Sequence, residues 1–346
     1  MVLAKRTPAQ TNSHHDMRVI ADLIAPARRI LLVTHVAPDG DAVGSLLGLG
    51  WLLRHQGKVL TLACEDPVPE NTVWLPGSSD VVQRATGDYD LVISLDCSDQ
   101  RRMGRIYRED MTALPLINID HHVTNTRFGT INWVDPSSVA TAQMVLSLAD
   151  TLRWALNDTV ATCLLHGLVT DTQSFRTPNV NAAALQAALR LMEAGASLSD
   201  ITWRAFGQRS LAAIRLWGQA IDRLQLRDGV LWTEITQAMR QNWALDEDAE
   251  SGLTNFLAGV REACMVLVFA ERDNGIVDVG MRAMPGLDVA QVALSLGGGG
   301  HPQAAGCTLS GDLAEVKQRV LDRVHRSLAE QAESGALCGP GMDPVG

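Results

Sequence analysis

Short apolar segments rich in β-forming residues alternate with helical patterns from about residue 28, and this alternation limits the folds open to the chain. Four successive strands are predicted by RILLVTH, KVLTLAC, YDLVISLDCSD and LPLINIDHH. A helix between the first two is predicted by the apolar spacing of DAVGSLLGLGWLLRHQG. Because strands that alternate with helices are typical of parallel sheets, we predict an α/β domain with a parallel sheet and helices on both faces.

The chain of 346 residues is long enough for two domains. We predict a flexible N-terminus over 1–14 and the parallel α/β domain over 15–196. A helical linker follows over 197–225, and a smaller α/β domain over 226–330 contains the predicted strands GVLWTEIT, CMVLVFAERD and GIVDVGMRAM. The Gly/Pro-rich tail over 331–346 is predicted to be disordered.

Composition excludes several classes of protein. Hydrophobic residues make up 46% of the chain, which is enough for real cores, and the net charge of −10 argues against a large basic surface for duplex DNA. No apolar run reaches the roughly 18 residues that a membrane span needs, and the N-terminus lacks the apolar region of a signal peptide. The six cysteines show no zinc-ribbon spacing, so we expect reduced thiols in a cytoplasmic protein that does not bind a membrane.

Acidic and histidine residues follow three of the predicted strands. Because ligands bind at the carboxyl ends of strands in an open parallel sheet, these side chains should meet at one edge. Asp171 ends a later predicted helix and is expected to reach the same edge. The strand-end residues are His35, Asp39, Asp41, Asp96, Asp120, His121 and His122.

Any one of these acids, taken alone, is typical of a helix cap or turn. A cluster of these acids instead indicates a cation site, because clustered carboxylates raise one another's pKa unless a cation neutralises them. Histidine nitrogens and aspartate oxygens suit Mn²⁺, Mg²⁺, Co²⁺ or Zn²⁺, and the lack of thiolates argues against a structural zinc. There are enough ligands for two metals, which could clamp the attacking and leaving oxygens of a phosphoryl displacement.

The motifs HVAPDGDAVGS, LDCSDQRRMG, IDHHVTN and the Asp of LVTDT resemble, in order, those of the DHH phosphoesterase superfamily. GGGGHPQAAG resembles the signature of its DHH-associated C-terminal domain, and the likeness runs from about residue 15 to 330. FGTINWVDPSSVATAQMV, VTDTQSFRTPNV and VDVGMR favour the nanoRNase branch. This resemblance implies a two-metal enzyme that cleaves short oligoribonucleotides to 5′-mononucleotides, with 3′-phosphatase activity on pAp (3′-phosphoadenosine 5′-phosphate) in some members. Its active site would lie in the cleft between the two domains.

The resemblance also implies individual roles at the metal site. One cation would be held by His35, Asp39 and Asp96. The other would be held by Asp41, Asp96, His121 and Asp171, so that Asp96 is shared. Asp120 would orient a histidine, and His122 would face the substrate phosphate, which makes Asp96, Asp120 and His122 the candidate catalytic residues. The expected cofactors are two divalent cations, with Mn²⁺ preferred and Mg²⁺ or Co²⁺ as alternatives.

Substrate contacts are expected from both domains. Arg102 and Asn125 fall at family positions close to the metal site. In the second domain, Arg282 fits the family's phosphate- or base-contacting arginine. The glycine run is expected to offer free backbone N–H groups to an anion, and the histidine after it a further donor; the residues concerned are Gly298, Gly299, Gly300 and His301. The MRAMPG segment departs from the polar family sequence, which leaves the nucleotide preference open.

Two other functions remain open from the sequence. One is a soluble phosphodiesterase acting on cyclic dinucleotides of the c-di-AMP type. The other is a non-catalytic nucleotide-binding protein with the same fold, although every expected metal ligand is present. The predicted binding partners are short single-stranded RNA, dinucleotides or pAp rather than duplex DNA, and the predicted assembly is a homodimer.

Overall fold

The computed structural model describes residues 8–243, 249–250 and 252–333, which form two compact units that divide after Gln208. The first unit contains six strands and six α-helices within the described residues. They are α1 (Pro8–Ile24), β1 (Arg29–Val33), α2 (Gly40–His55), β2 (Val59–Ala63), β3 (Val81–Val82), β4 (Leu91–Leu95), β5 (Leu116–Asp120), β6 (Ile131–Val134), α3 (Thr141–Thr151), α4 (Asp158–Asp171), α5 (Ala182–Glu193) and α6 (Leu198–Thr202).

Helix α1 begins inside the segment 1–14 that we expected to be flexible. Pro8 stands in the first turn, where a missing N–H breaks no helical hydrogen bond. Farther along, Met17, Ile20 and Ile24 lie on one side of the helix and are buried in the core of the first unit. Helix α1 thus occupies residues 8–14 of the segment for which flexibility is predicted. Residues 1–7 lie outside the described residues.

The first unit is built on a six-stranded sheet in the order β3-β2-β1-β4-β5-β6. Every neighbouring pair of strands is parallel. The four predicted strands are β1, β2, β4 and β5, which occupy the interior of the sheet, so the predicted α/β class is confirmed. The sequence interpretation missed the two edge strands, β3 and β6, which are only two and four residues long.

The two faces of this sheet have different covers. In β1, Ile30 and Leu32 point into the core shared with α1 to α4, whereas Leu31 and Val33 point to the opposite face. That opposite face packs against short 3₁₀ helices, among them Gln100–Ile106. Helices therefore lie on both faces, as predicted, but those on the second face are short 3₁₀ helices.

Close packing of α2 against α4 sets the position of the predicted site. A Cβ atom on Gly44 would lie 2.6 Å from the carbonyl oxygen of Cys163, and one on Gly40 would lie 2.4 Å from the Thr170 hydroxyl. Because glycine has no Cβ, the two backbones can approach to this distance. The start of α2 consequently lies beside the end of α4, where Asp171 is found.

The second unit is an α/β unit built on a mixed sheet. Its elements are α7 (Leu211–Ile221), β7 (Gln225–Arg227), β8 (Val230–Ile235), α8 (Gln237–Gln241), α9 (Leu253–Leu257), β9 (Met265–Arg272), β10 (Ile276–Ala283), α10 (Ala290–Ser295), β11 (Gly299–His301), β12 (Ala304–Ser310) and α11 (Leu313–Glu333). The strand order is β11-β12-β10-β9-β8-β7, and only the pair β8–β9 is parallel. Helix α11 extends through the first residues of the predicted tail 331–346, and residues 334–346 lie outside the described residues.

Alternation along β10 separates the two faces of the second sheet. Val277, Val279 and Met281 belong to the core formed with α10 and α11. The residues between them therefore point to the other face, where α7 and α9 pack against Val266 and Val268 of β9. This second face carries the predicted arginine and the row of glycines described below.

Candidate metal centre

The loop after β1 delivers the first three candidate ligands. Asp39 is the N-cap of α2, where its Oδ1 accepts hydrogen bonds from the backbone N–H groups of Asp41 and Ala42, both at 3.0 Å. Asp41 follows in the first turn of the helix and is buried, and His35 is buried at the end of the strand. The helix-cap interpretation and the ligand interpretation of this loop are therefore compatible, because one turn serves both.

The predicted ligands converge into three overlapping groups. In each group, one ligand atom per residue lies within 4.8 Å of the others; the groups are His35–Asp39–Asp96, Asp41–His121–Asp171 and Asp96–His121–His122. The first group is the set predicted for one cation. The second is the set predicted for the other cation without Asp96, but Asp96 Oδ1 lies 3.6 Å from His121 Nε2. The third group adds His122 to the possible ligands.

Asp96 lies at the centre of these groups. Its backbone has a φ of 60°, a left-handed conformation that turns the chain sharply at the end of β4. Oδ2 lies 3.5 Å from His35 Nε2, while Oδ1 faces His121. Burial opposes the charged form, but the hydrogen bond from His35 and the charges of His121 and His122 outweigh it and lower the pKa of Asp96. Asp96 is therefore ionised, with Oδ2 turned toward His35 and Oδ1 turned toward His121.

Two other acids in the cluster hold their protons more tightly. Burial, with the nearby charges of Asp96 and Asp171, raises the pKa of Asp41 well above its usual range. Burial, with the charges of Asp96 and Asp39, also raises the pKa of Asp171 to about 7, against the opposing effect of His121. A cation between these carboxylates would remove this repulsion, so the donor set fits a divalent metal.

His122 is held by the buried carboxylate of Asp120. Its Nδ1 lies 2.7 Å from Asp120 Oδ1, and Asn125 Nδ2 donates to Asp120 Oδ2 at 2.5 Å. Burial by itself lowers the pKa of His122. The hydrogen bond to Asp120 and the charge of Asp96 outweigh this effect and raise the pKa to about 9. His122 is thus a cation at neutral pH, and Asn125 binds Asp120.

Arg102 lies on the 3₁₀ helix that follows β4. Its carbonyl oxygen accepts the Val36 N–H at 2.7 Å, which ties this helix to the loop after His35. The side chain is exposed, and within the described residues its guanidinium forms no hydrogen bond or ion pair. Its charge acts on His35, where it opposes the raised pKa of that histidine. Arg102 is therefore close enough to influence the cluster electrostatically.

The second unit contains a cavity of about 580 Å³ on the sheet face that carries Gly280 and Gly306, beside Thr254 of α9. Three glycines in register on three adjacent strands form a flat row there: Gly280 opposite Gly306, and Gly306 opposite Gly299. Thr308 donates to Asp278 Oδ1 at 2.6 Å, and Arg272 Nε donates to Oδ2 at 2.7 Å. The charges at this end of the cavity are paired, so it suits a neutral group better than an anion.

The glycine run has a more structural role than we expected. The N–H of Gly298 donates to the carbonyl of Ala293, and the N–H of Gly297 to that of Leu294, so both groups complete the end of α10. A Cβ on Gly298 would lie 2.1 Å from the carbonyl oxygen of Gly306. We expected a free N–H at Gly298, but this group is already hydrogen-bonded within the fold. Gly299 and Gly300 belong to β11, together with His301.

Arg282 is the last candidate of the second unit. It lies two residues after Gly280 on the same face of β10. Its Nε donates to Asn255 Oδ1 at 2.6 Å, its Nη1 donates to the Met281 carbonyl, and burial lowers its pKa. These bonds fix the guanidinium at one end of the glycine row.

Comparison with known proteins identifies this combination of units. The model of the DHH family N-terminal domain matches residues 29–168, and that of the DHHA1 domain matches 238–330. The bifunctional oligoribonuclease and PAP phosphatase NrnA of Thermus thermophilus is 36% identical over 321 residues, which are 90% of this chain and 94% of that protein. The chain belongs to the DHH family. It is a phosphoesterase, and therefore a hydrolase.

Solved structures support the DHH fold. An exopolyphosphatase-related protein from Bacteroides fragilis superimposes with a TM-score of 0.80 at 21% identity, covering 91% of this chain and 96% of that one. RecJ from Thermus thermophilus, solved with Mn²⁺, gives 0.52 at 13% identity and covers 93% of this chain, which spans 55% of RecJ. At these identities the likeness shows the fold alone. In the described part of the chain, no helix is both long and apolar enough to span a membrane.

The sequence interpretation of this DHH site missed Thr141, at the start of α3. Its N–H and that of Ala142 donate to Asp41 at 2.6 and 3.0 Å, and its hydroxyl donates to Asp96 Oδ1 at 2.8 Å. A signal existed, because Ala140 at the N-cap has no side chain to bind the free N–H groups of the helix. Asn118 was also missed; its Oδ1 accepts from Asn125 at 2.8 Å.

Left-handed backbone conformations concentrate in the loops that adjoin the DHH motifs. Such conformations cost energy in residues other than glycine and are characteristic of functional sites. Three of these residues are consecutive and begin two positions after Asp171. The left-handed residues of these loops are Ala37, Asp96, Arg127, Gln173, Ser174 and Phe175.

Proposed function

We propose that this chain hydrolyses the phosphodiester bonds of short oligoribonucleotides and dinucleotides to 5′-mononucleotides, and that it also removes the 3′-phosphate of pAp. The observation that carries the proposal is the set of ligand groups around Asp96. It occurs in a chain that is 36% identical, over nearly its full length, to a protein named for both activities. Two cations held by ligand groups that share a carboxylate would stabilise both the attacking and the leaving oxygen of a phosphoryl displacement.

Two divalent cations are the proposed cofactors, Mn²⁺ first and Mg²⁺ or Co²⁺ as alternatives. One would be held by His35, Asp39 and Asp96. The second would be held by Asp41, His121 and Asp171, with Asp96 reaching both. When bound, such cations lower the pKa of water and stabilise charge on the attacking and leaving oxygens. The mixture of carboxylate and imidazole donors, without thiolates, supports this choice.

His122 is the proposed contact to the reacting phosphate. Its pKa of about 9 keeps it protonated at neutral pH, so it can donate a charged hydrogen bond to a phosphate oxygen. Asp120 and Asn125 hold the ring in place rather than meeting the substrate. This moves Asn125 from a proposed substrate contact to a proposed supporting residue.

Substrate binding is proposed for groups in both units. In the first unit, the exposed guanidinium of Arg102 suits a phosphate. In the second, Arg282 and His301 suit a phosphate, and the flat row containing Gly280 and Gly299 suits a nucleoside. A Cβ on Gly299 would meet nothing within 4 Å, so the fold itself does not require glycine there. Gly298 is proposed to act through the shape of the chain, because its N–H is already bonded.

The finer organisation is also a proposal. We keep 15–196 and 226–330 as the two domains; the proposed linker 197–225 contains α6, a π-helix and α7.

A homodimer is supported by apolar side chains at helical spacing on the surface of α5: Leu185, Leu189 and Met192 are 53%, 57% and 43% exposed. The five cysteines within the described residues are buried and form no disulfide, which accords with a cytoplasmic location. The acidic net charge supports short RNA over duplex DNA as the partner.

A substrate panel tests the function. Purified protein is incubated with pNpN, pAp, a 5-mer RNA or c-di-AMP, each with Mn²⁺ and with Mg²⁺, and products are separated by ion-exchange chromatography. We expect mononucleotides from pNpN and adenosine 5′-phosphate from pAp. Turnover of c-di-AMP alone would favour the cyclic-dinucleotide alternative. Tight nucleotide binding without turnover in any metal would identify a non-catalytic binding protein.

A further inference from the structure

We infer that Thr141 is a positioning residue that holds the two proposed cation sites in register. The inference rests on the proposed use of Asp41 and Asp96 as ligands. These two acids belong to different ligand groups, and Thr141 contacts both. One residue at the start of α3 therefore connects the two halves of the metal centre.

The contacts of Thr141 divide by atom. Its backbone N–H donates to Asp41 Oδ2 at 2.6 Å, and the next N–H, from Ala142, donates to Oδ1 at 3.0 Å. Both oxygens of Asp41 are thus bound by the start of α3, whose dipole also favours a negative charge there. The side-chain hydroxyl instead donates to Asp96 Oδ1 at 2.8 Å. Thr141 and both carboxylates are buried.

The hydroxyl bond controls the rotation of the shared carboxylate. Oδ1 of Asp96 faces His121 and accepts the Thr141 hydroxyl, while Oδ2 faces His35. A carboxylate with a fixed donor on one oxygen cannot turn freely about its Cβ–Cγ bond. Without this donor, both oxygens could turn toward one cation. Partners of this kind typically contribute 10- to 100-fold to metal affinity, which is the size of effect we expect.

An ordinary capping role does not explain these contacts. A threonine whose role is confined to its own helix would bond a backbone group within one turn, as the Thr170 hydroxyl does with the carbonyls of His166 and Gly167. The Thr141 hydroxyl instead reaches a carboxylate 45 positions away in the chain. Its partner is thus part of the metal centre rather than of α3.

The test measures metal binding directly. Mn²⁺ is titrated into the metal-free full chain, and free Mn²⁺ is followed by electron paramagnetic resonance. Thr141→Val and Thr141→Ala should weaken binding at least about 10-fold, whereas Thr141→Ser, which keeps the hydroxyl, should bind nearly as the unmodified chain does. Thr72→Val is the matched control, because it removes another buried hydroxyl, whose single hydrogen bond within the described residues goes to the Pro69 carbonyl. It should leave Mn²⁺ affinity unchanged.

The variants separate the possible outcomes. Unchanged Mn²⁺ affinity in folded Thr141→Val and Thr141→Ala would overturn the inference. So would equal weakening in Thr141→Ser, since the missing methyl group would then be responsible. Thr141→Ala keeps the test valid if the extra methyl of valine disrupts folding, as judged by circular dichroism. Failure of the unmodified chain to bind Mn²⁺ would overturn both this inference and the proposed function. Binding of Mn²⁺ without hydrolysis would overturn only the proposed function.

Discussion

A buried histidine outside the metal centre should make the first unit sensitive to acid. His166 in α4 is fully buried, both of its ring nitrogens lack a hydrogen-bond partner among the described residues, and its ring lies edge-on to Trp74 with centroids 5.5 Å apart. Burial lowers its pKa to about 4, because the charged form has no solvent and no partner.

The direction of the effect follows from proton linkage. In the unfolded chain a histidine binds its proton below about pH 6.5, whereas folded His166 stays neutral down to about pH 4. As the pH falls through this window, the unfolded state gains protons that the native state does not, so stability decreases. At pH 5 the loss amounts to about 2 kcal/mol, and below pH 4 it approaches about 3 kcal/mol.

Chemical denaturation checks this value. Urea unfolding at pH 7.5 and pH 5 gives the change in unfolding free energy for the unmodified chain and for His166→Leu. Between pH 7.5 and pH 5, the unfolding free energy of His166→Leu should fall by about 2 kcal/mol less than that of the unmodified chain. The contributions of the other titrating groups are the same in both proteins and cancel in the comparison. His55→Leu is the control, because His55 is exposed. Equal pH dependence of the chain and His166→Leu would refute the reasoning.

Three further predictions concern the site and its support. Asp120→Ala and His121→Ala should each lower the rate of phosphodiester hydrolysis at least about 100-fold, and EDTA should abolish it; full activity in EDTA-treated protein would contradict the metal assignment. Arg282→Ala should raise KM for pNpN more than it lowers kcat, as steady-state kinetics would show, if the arginine binds substrate away from the reacting bond. Gly44→Ala should destabilise the fold by about 1–3 kcal/mol in urea, because the new Cβ would clash with the Cys163 carbonyl; unchanged stability would show that α2 can shift.

Much of the first unit could be predicted because its signals are local. The interior strands are apolar runs of five residues, and each candidate ligand is close in sequence to the end of a strand or helix. The edge strands β3 and β6 were missed because so few residues provide little pattern. Helix α1 was missed altogether, because its buried apolar residues at helical spacing, Met17, Ile20 and Ile24, lie only in its second half.

The sequence by itself determined the α/β class of the first unit and the residue types that the strand ends supply. Both depend on chain-local periodicity and on the rule that parallel strands share one carboxyl edge. Only the tertiary structure decided which groups fix those ligands. Thr141 meets Asp41 across 100 positions, and no pattern within one segment contains that pairing. The use of the Gly297 and Gly298 N–H groups also depended on how α10 ends, since a hydrogen-bond donor is available to a ligand only if the fold has not already used it.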